Sequence, residues 1–511
     1  MEGKQINVLL ISQQKDIDLT GFKYLHYYLL KNNINSTLLF IPETKKENFG
    51  SIKNFISKLN PVLIGFSLMS DSYLQTRELT RYIKDNFKTK IIWGGIHPTI
   101  TPEQCLEYAD FVCIGEGEKT MLETAYAISN GKDPKQINNL CYLDGGRMIR
   151  NPLYPLIADI DSLPQGDHVP ISGFVQESDG KIISLDKRMF AKYSRFKGKI
   201  YDVMSSRGCP FSCTYCVNHF IKKLYENNNN IRRRSIETVI QEVEKAVRDN
   251  PDLEYINFMD DCFLSCDNDY LRKFCEEYKK RIRLPFWVKA TPAYINEEKV
   301  KILKDAGLAW IEIGLQSGSD RVLKEIYNRK SLKADFLNSQ KLFVKYNISS
   351  ICDVILDNPF ETEGDKLEMI QTFMDAPKPF YPQFFSLTFY HGTKIREMVE
   401  KEHPEAIRDE DSLKKDYMLY HKNAINDMIR LSAFMPGKRM KKIVDLYKTD
   451  KNGLKFKISL TAAKMSLLLT EPIVYFRIIK MSLNGSYVRT FKIMPTYFKK
   501  GLHRYLNQFK N

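Results

Sequence analysis

The sequence lacks any apolar run of the roughly 20 residues that a membrane-spanning helix needs. Its N-terminus, MEGKQINVLLISQQ, lacks a secretory signal pattern and reads straight into a strand. Together these absences give the expectation of a cytoplasmic protein. The composition of a disordered chain is missing too. Hydrophobic residues are 43% and aromatics 12%, enough to bury real cores, which excludes disorder as the general state. Disulfides are not expected, because ten cysteines in a reducing compartment read as thiols or metal ligands. Acid is in short supply: the net charge is +15, and from Leu454 onward Glu471 is the only acidic residue. Such a charge suits an anionic partner, whether nucleic acid, a phosphorylated small molecule or a membrane surface, and does not choose among them; most of this lysine reads as solvated surface.

At 511 residues the chain exceeds a usual single domain, so two or three packed units are expected. Over residues 1–150, short apolar runs (INVLLIS, STLLFI, PVLIGFSLMS, KIIWGG, DFVCIGEG) alternate with helix-period segments (GFKYLHYYLLKN, YLQTRELTRYIKDNF). Continuous apolar strands separated by helices indicate a parallel sheet covered on both faces, a doubly wound, Rossmann-like α/β domain. Such a fold binds its ligand where loops leave the carboxyl ends of the strands, which draws attention to 67–70, 94–99 and 115–118. Residues 151–200 break into Pro- and Gly-punctuated segments and read as a surface linker.

A second alternation occupies residues 201–400, with Ser235 as a helix N-cap and Gly307 as a C-cap. Six or so strands each followed by a helix suggest a partial (β/α) barrel with its chemistry at the strands' carboxyl ends. Residues 401–511 read as a basic helical region.

The segment SSRGCPFSCTYCVNH places Cys209, Cys213 and Cys216 in a C-x3-C-x2-C spacing directly after a strand-like run. Three thiolates on a tight loop can ligate three irons of a 4Fe-4S cluster and leave the fourth open for a substrate. The competing readings are inert buried thiols or a zinc site completed by His219, although structural zinc usually brings a second Cys pair.

With Tyr215 just before the last cysteine, this segment resembles the radical S-adenosylmethionine (SAM) superfamily, and the likeness extends over roughly residues 200–395. The resemblance implies a 4Fe-4S cluster on Cys209, Cys213 and Cys216 whose open iron chelates SAM. Reductive cleavage then yields a 5′-deoxyadenosyl radical, with an external donor such as flavodoxin or ferredoxin supplying the electron. It further implies SAM contacts from Tyr215, from Asp260 and Asp261 at the end of the second strand, and from Glu312, Gln316 and Ser317 in the fourth-strand run EIGLQSGS. A carboxylate there complements the SAM ammonium; out of context, Asp260 and Asp261 read as a solvated strand end. The stretch Asp353 to Leu356 matches the fifth-strand backbone that contacts adenine. The following DNPFET departs from the family's Gly-rich loop, which leaves Asp357 and Glu361 without an assigned role. Tyr390-His391-Gly392-Thr393 matches the turn ending the sixth strand, and reads equally as a plain tight turn.

A doubly wound domain ahead of such a barrel resembles the cobalamin-binding subfamily. The implied cobalamin contacts are Ser67, Ser70, Gly94, Gly95, His97, Gly115 and Glu116, where small residues let the backbone approach a flat corrin. The loop Ser12-Gln13-Gln14-Lys15-Asp16 lacks the Asp-x-His-x-x-Gly motif, so no histidine from it is expected on cobalt. His97 either contacts the corrin or braces its own turn. Cys262 and Cys266 form a pair without partners, which reads as buried structure.

The resemblance therefore implies methyl transfer to an unactivated carbon. Ring-forming or oxidising radical chemistry on the same fold is the alternative, and a binding protein without catalysis is a further one. The sequence reveals neither the catalytic residues nor the substrate, taken as a small molecule or lipid; no nucleic-acid partner is expected. The tail KFKISLTAAKMSLLLTEPIVYFRIIKMSL either lies in a membrane interface or caps the barrel, with Pro472 expected to split it into two helices.

Overall fold

The computed structural model describes residues 5–226, 230–408, 411–414 and 418–482. The first sheet contains β1 (Asn7–Ser12), β2 (Asn35–Phe40), β3 (Leu63–Ser67), β4 (Lys90–Gly94), β5 (Phe111–Cys113), β6 (Leu140–Asp144), β7 (Arg147–Arg150), β8 (Gly173–Gln176) and β9 (Ile182–Ser184). Their order across the sheet is β7-β6-β5-β4-β3-β1-β2-β8-β9. The run from β5 to β8 is parallel, and antiparallel strands close both edges. Successive β1 residues go to opposite cores, Leu9 and Ile11 to one and Val8 and Leu10 to the other. Helices therefore cover both faces, which is why the strands read as unbroken apolar runs. Strand order reverses between β1 and β3, creating the crevice in which doubly wound folds take their ligands.

The expected linker at 151–200 is corrected in part: β8 and β9 lie within it and extend this sheet beyond β2. The flanking Pro and Gly residues hide strands this short from a periodicity reading, yet an uncovered β2 edge would be a pairing liability.

The second sheet contains β10 (Ile200–Val203), β13 (Tyr255–Phe258), β14 (Phe286–Ala290), β15 (Leu308–Gln316), β16 (Ser349–Leu356) and β17 (Tyr381–Ser386), all parallel and in that order. A small antiparallel pair, β11 (Ser206–Arg207) with β12 (Arg232–Arg233), flanks the cysteine segment. The helices after β10 to β16 cover the outer face and bury one continuous core. Ser235 caps its helix by accepting from the Thr238 amide, and Gly307 ends another with φ +106°.

Helices Ala424–Phe434, Gly437–Asp450 and Leu454–Ser482 follow. The last runs unbroken through Pro472, contrary to the expected split. Proline removes one backbone donor, but the helix is pinned on both sides of it. Phe456, Leu460, Ala463 and Leu467 are buried before it and Ile478 after it, and the Tyr475 ring lies 4.5 Å from that of Tyr381. Among the described residues no helix is long and apolar enough to cross a membrane.

Candidate active site

The cysteine loop leaves β11 and ends at Cys216, where helix Val217–Leu224 begins. Gly208 opens it with φ +107°, a conformation only glycine takes cheaply. The far side of the barrel ties the loop down: Thr214 donates through its amide to Tyr327 O (3.1 Å) and through its hydroxyl to Ile326 O (2.7 Å), and Asn328 donates to Ser212 O (3.0 Å). Two cations face the thiols. Lys222 donates to Phe211 O (2.5 Å), and Arg329 donates to the Tyr215 hydroxyl (2.7 Å) with the Cys213 Sγ at 3.9 Å. Burial pushes the Cys209 thiol up to about 12 and the Cys216 thiol to about 11. These two thiols therefore hold their protons at neutral pH, and taking up iron means releasing them. Three flexible-end thiols on one loop, with cations beside them, fit an anionic cluster.

Cys209 and Cys216 line a cavity of about 630 Å³ whose opposite wall is the carboxyl edge of the first sheet. Of the residues expected at cobalamin, Ser67, Gly94, Gly95, Gly115 and Glu116 line it. Small residues at these strand ends leave room in the wall for a large flat ligand, and the turn itself requires glycine, since a Cβ on Gly95 (φ +99°) would lie 2.8 Å from Leu68 O of its own domain. Glu116 accepts from Arg207 (3.0 Å), Arg232 (2.8 Å) and the Ile157 amide (2.9 Å). Burial alone would raise its carboxyl, but Arg232 and Arg207 hold it below its ordinary value. These pairs join the first domain to β11 and β12 at the cavity.

Ser70 and His97 are not in the cavity wall. They bond each other (3.1 Å), and Thr101 bonds the other His97 ring nitrogen (3.3 Å). Burial lowers His97 to about 4, so a neutral imidazole braces its turn.

The expected SAM residues divide in the same way. Asp260 is fully buried and accepts from the Ser205 amide (3.2 Å), the Ser205 hydroxyl (2.8 Å) and the Ser206 hydroxyl, bracing the end of β10. Asp261 faces the cavity beside Cys209 and Cys216. Tyr215 is turned inward, edge-on to Tyr327 at 5.0 Å. Glu312 lies on the inner face of β15, 4.0 Å from Lys289. It also faces Asp353, whose carboxyl burial and the Glu312 charge push well up. Gln316 ends β15 with φ +69°, and its side chain folds over Gly314. Ser317 is buried and donates to Glu361 (3.0 Å), whose carboxyl burial pushes up to about 7. Asp357 accepts from Ser386 (2.5 Å), the His421 amide (2.9 Å) and Asn426 (3.0 Å), a structural junction. Cys262 and Cys266 bond only locally, Cys262 to Thr291 (3.8 Å) and Cys266 to Phe263 O (3.7 Å). Gly392 (φ +73°) packs its turn against Phe220 of the helix that follows the cysteines. Arg329, Lys222 and Tyr225 escaped the sequence reading because no spacing ties them to the triad.

Residues 6–125 match the B12 binding domain family and residues 203–373 the radical SAM superfamily. An uncharacterised methyltransferase of Pyrococcus horikoshii is 26% identical over 353 residues, 68% of this chain and 72% of that protein. An anaerobic magnesium-protoporphyrin IX monomethyl ester cyclase of Cereibacter sphaeroides is 24% identical, covering 65% of this chain; the chain spans about half (54%) of that relative's length. Among solved structures, the radical SAM methyltransferase TsrM of Kitasatospora setae with cobalamin and a [4Fe-4S] cluster has a TM-score of 0.62 at 19% identity, over 78% of this chain and 75% of that one. The cobalamin-dependent radical SAM enzyme OxsB with aqua-cobalamin and SAM has 0.66 at 15%, over 99% and 82%. The protein is thus a radical SAM enzyme built on a barrel behind a doubly wound domain. More narrowly, it belongs to the radical SAM enzymes that carry a cobalamin-binding domain, and its cofactors are a 4Fe-4S cluster, SAM and cobalamin.

Proposed function

We propose that the enzyme transfers a methyl group from SAM to an unactivated carbon of a small-molecule or lipid substrate, with Cys209, Cys213 and Cys216 holding the cluster. The observation that carries this reading is the single cavity lined both by the strand-end loops of the B12 domain and by Cys209 and Cys216. When bound, the cluster and SAM supply a hydrogen-abstracting radical and cobalamin carries the methyl group. The chain's own residues position and exclude. Asp261 offers a carboxylate toward the SAM ammonium, and Gln316 and Ser317 flank the SAM site at the end of β15. Gly94 and Gly95 admit the corrin, and Lys222 and Arg329 balance the cluster's negative charge. The electron comes from an external donor such as flavodoxin or ferredoxin.

The test is anaerobic incubation of reconstituted enzyme with extract of its own cells and methyl-deuterated SAM, followed by mass spectrometry. A labelled product carrying the deuterated methyl group supports the proposal. 5′-Deoxyadenosine formed with an unlabelled ring-closed or oxidised product would replace it with the alternative, a reading the cyclase relative keeps in view.

The C-terminal helix bears on the substrate. Its buried face caps the barrel, while Leu454, Ile458, Met465, Leu468 and Phe476 stand 43–73% exposed on the opposite face, flanked by Lys455, Lys457 and Lys480. An apolar stripe edged by cations suits the surface of an anionic bilayer, and hence a lipid or other hydrophobic substrate. Full-length protein should co-sediment with anionic vesicles at low salt and not with neutral ones. Failure to bind either, or self-association through the stripe, would remove the lipid inference.

A further inference from the structure

The helix that begins at Cys216 turns one whole face to the cavity. Val217, Asn218, Ile221, Lys222 and Tyr225 all line it, spaced as one side of a helix. Tyr225 reaches farthest. A Cβ on Gly115 would lie 2.0 Å from its hydroxyl, so the phenol rests directly on the backbone of the B12 domain at a position with φ +76° that glycine keeps open. The Glu116 amide donates to that hydroxyl at 3.4 Å, which leaves the phenol its own proton to donate. Burial pushes Tyr225 up to about 12, so the proton stays on across the working pH range. The ring is only partly buried, with its remaining surface on the cavity.

We propose that Tyr225 is a cobalamin contact supplied by the radical SAM domain, its hydroxyl donating to an amide carbonyl on the corrin rim. This rests on cobalamin occupying the shared cavity. A corrin carries several amide side chains, and a neutral phenol suits them better than a charged group, which would have to be desolvated without a counter-charge. The consequence is a mechanical link, because the residue that meets the corrin caps the C-terminus of the same short helix whose N-cap is the third cysteine of the triad.

The experiment titrates full-length protein, purified without cofactor under anaerobic conditions, with hydroxocobalamin, reading bound corrin after gel filtration. Iron content after cluster reconstitution is measured in parallel. Tyr225→Phe, which keeps the ring and the fold, should bind corrin about fivefold more weakly, and Tyr225→Ala at least tenfold more weakly. Both should load iron as the wild type does. Wild-type affinity in Tyr225→Phe overturns the hydrogen bond, and wild-type affinity in both variants overturns the contact. If the wild type itself retains no corrin, cobalamin occupancy of the cavity is wrong and the Tyr225 assignment falls with it; that result is distinguishable because it shows before any variant is made.

Discussion

Replacing Asp260 and Asp261 one at a time separates a brace from a ligand contact at adjacent positions. Asp260 is 0% exposed and accepts three hydrogen bonds from Ser205 and Ser206. Asp260→Ala leaves those donors buried and unpaired, at about 1–1.5 kcal/mol each. Burial raises the Asp260 carboxyl, so part of that sum is offset by removing a poorly solvated charge, and a net loss of about 3 kcal/mol is expected. In a unit of this size that corresponds to a fall in Tm of roughly 6–12 °C. Asp261 faces the cavity, so Asp261→Ala should change stability by no more than about 0.5 kcal/mol. It should nevertheless lower 5′-deoxyadenosine formation at least tenfold, the loss expected of one charge-assisted contact to SAM. The assays are thermal unfolding of the cofactor-free chain and SAM cleavage by the reconstituted one. A stable, cleavage-dead Asp260→Ala beside an unstable, active Asp261→Ala would refute the division of roles.

Three further outcomes follow from other parts of the site. Glu361 sits up near 7 through burial. The stability it contributes is present below the ordinary carboxylate range and is lost as pH rises through 7, a cost approaching about 3 kcal/mol by pH 8. Cofactor-free Glu361→Gln should therefore gain stability over the wild type from pH 5 to pH 8, and a pH-independent difference in Tm would contradict this. With the His97 ring engaged by Ser70 and Thr101, the cob(II)alamin form should show no nitrogen superhyperfine splitting from a protein histidine, so its electron paramagnetic resonance spectrum should be unchanged by 15N-histidine labelling; a spectrum altered by the label would place a histidine on cobalt. Gly95→Ala would bring its Cβ to 2.8 Å from Leu68 O at positive φ, so corrin retention should drop at least tenfold, and unchanged retention would show that this turn does not cradle the ligand.

Local pattern makes both sheets and the cysteine loop legible in the sequence. The strands of the first domain are buried on two faces, so Val8 to Ile11 could only be apolar throughout, and a triad within eight residues carries its own chemistry. What stayed hidden depended on contacts distant in sequence. Asp260 and Asp261 are indistinguishable along the chain, and only the turn that follows β13 sends one to Ser205 and the other to the cavity. Ser70 and His97 share their strand-end loops with Ser67 and Gly95, yet their side chains satisfy each other and turn away from the cavity. Arg329 meets Tyr215 across 114 residues, and Tyr225 meets Glu116 across 109; no spacing rule could join them. Pro472 does not end its helix, because burial on both flanks outweighs one missing backbone donor.

The central claim is that the cluster and cobalamin face one another across a single cavity. The most direct measurement is electron paramagnetic resonance of the anaerobically reconstituted enzyme, reduced to hold both cob(II)alamin and the paramagnetic cluster. In the wild type the cob(II) signal should relax faster and broaden through coupling to the cluster. In the Cys209→Ala/Cys213→Ala/Cys216→Ala variant, which should bind corrin without iron, it should return to the isolated form. A wild-type cob(II) signal identical to that of the triple variant, with both cofactors fully loaded, would contradict the shared cavity and the methyl-transfer chemistry built on it.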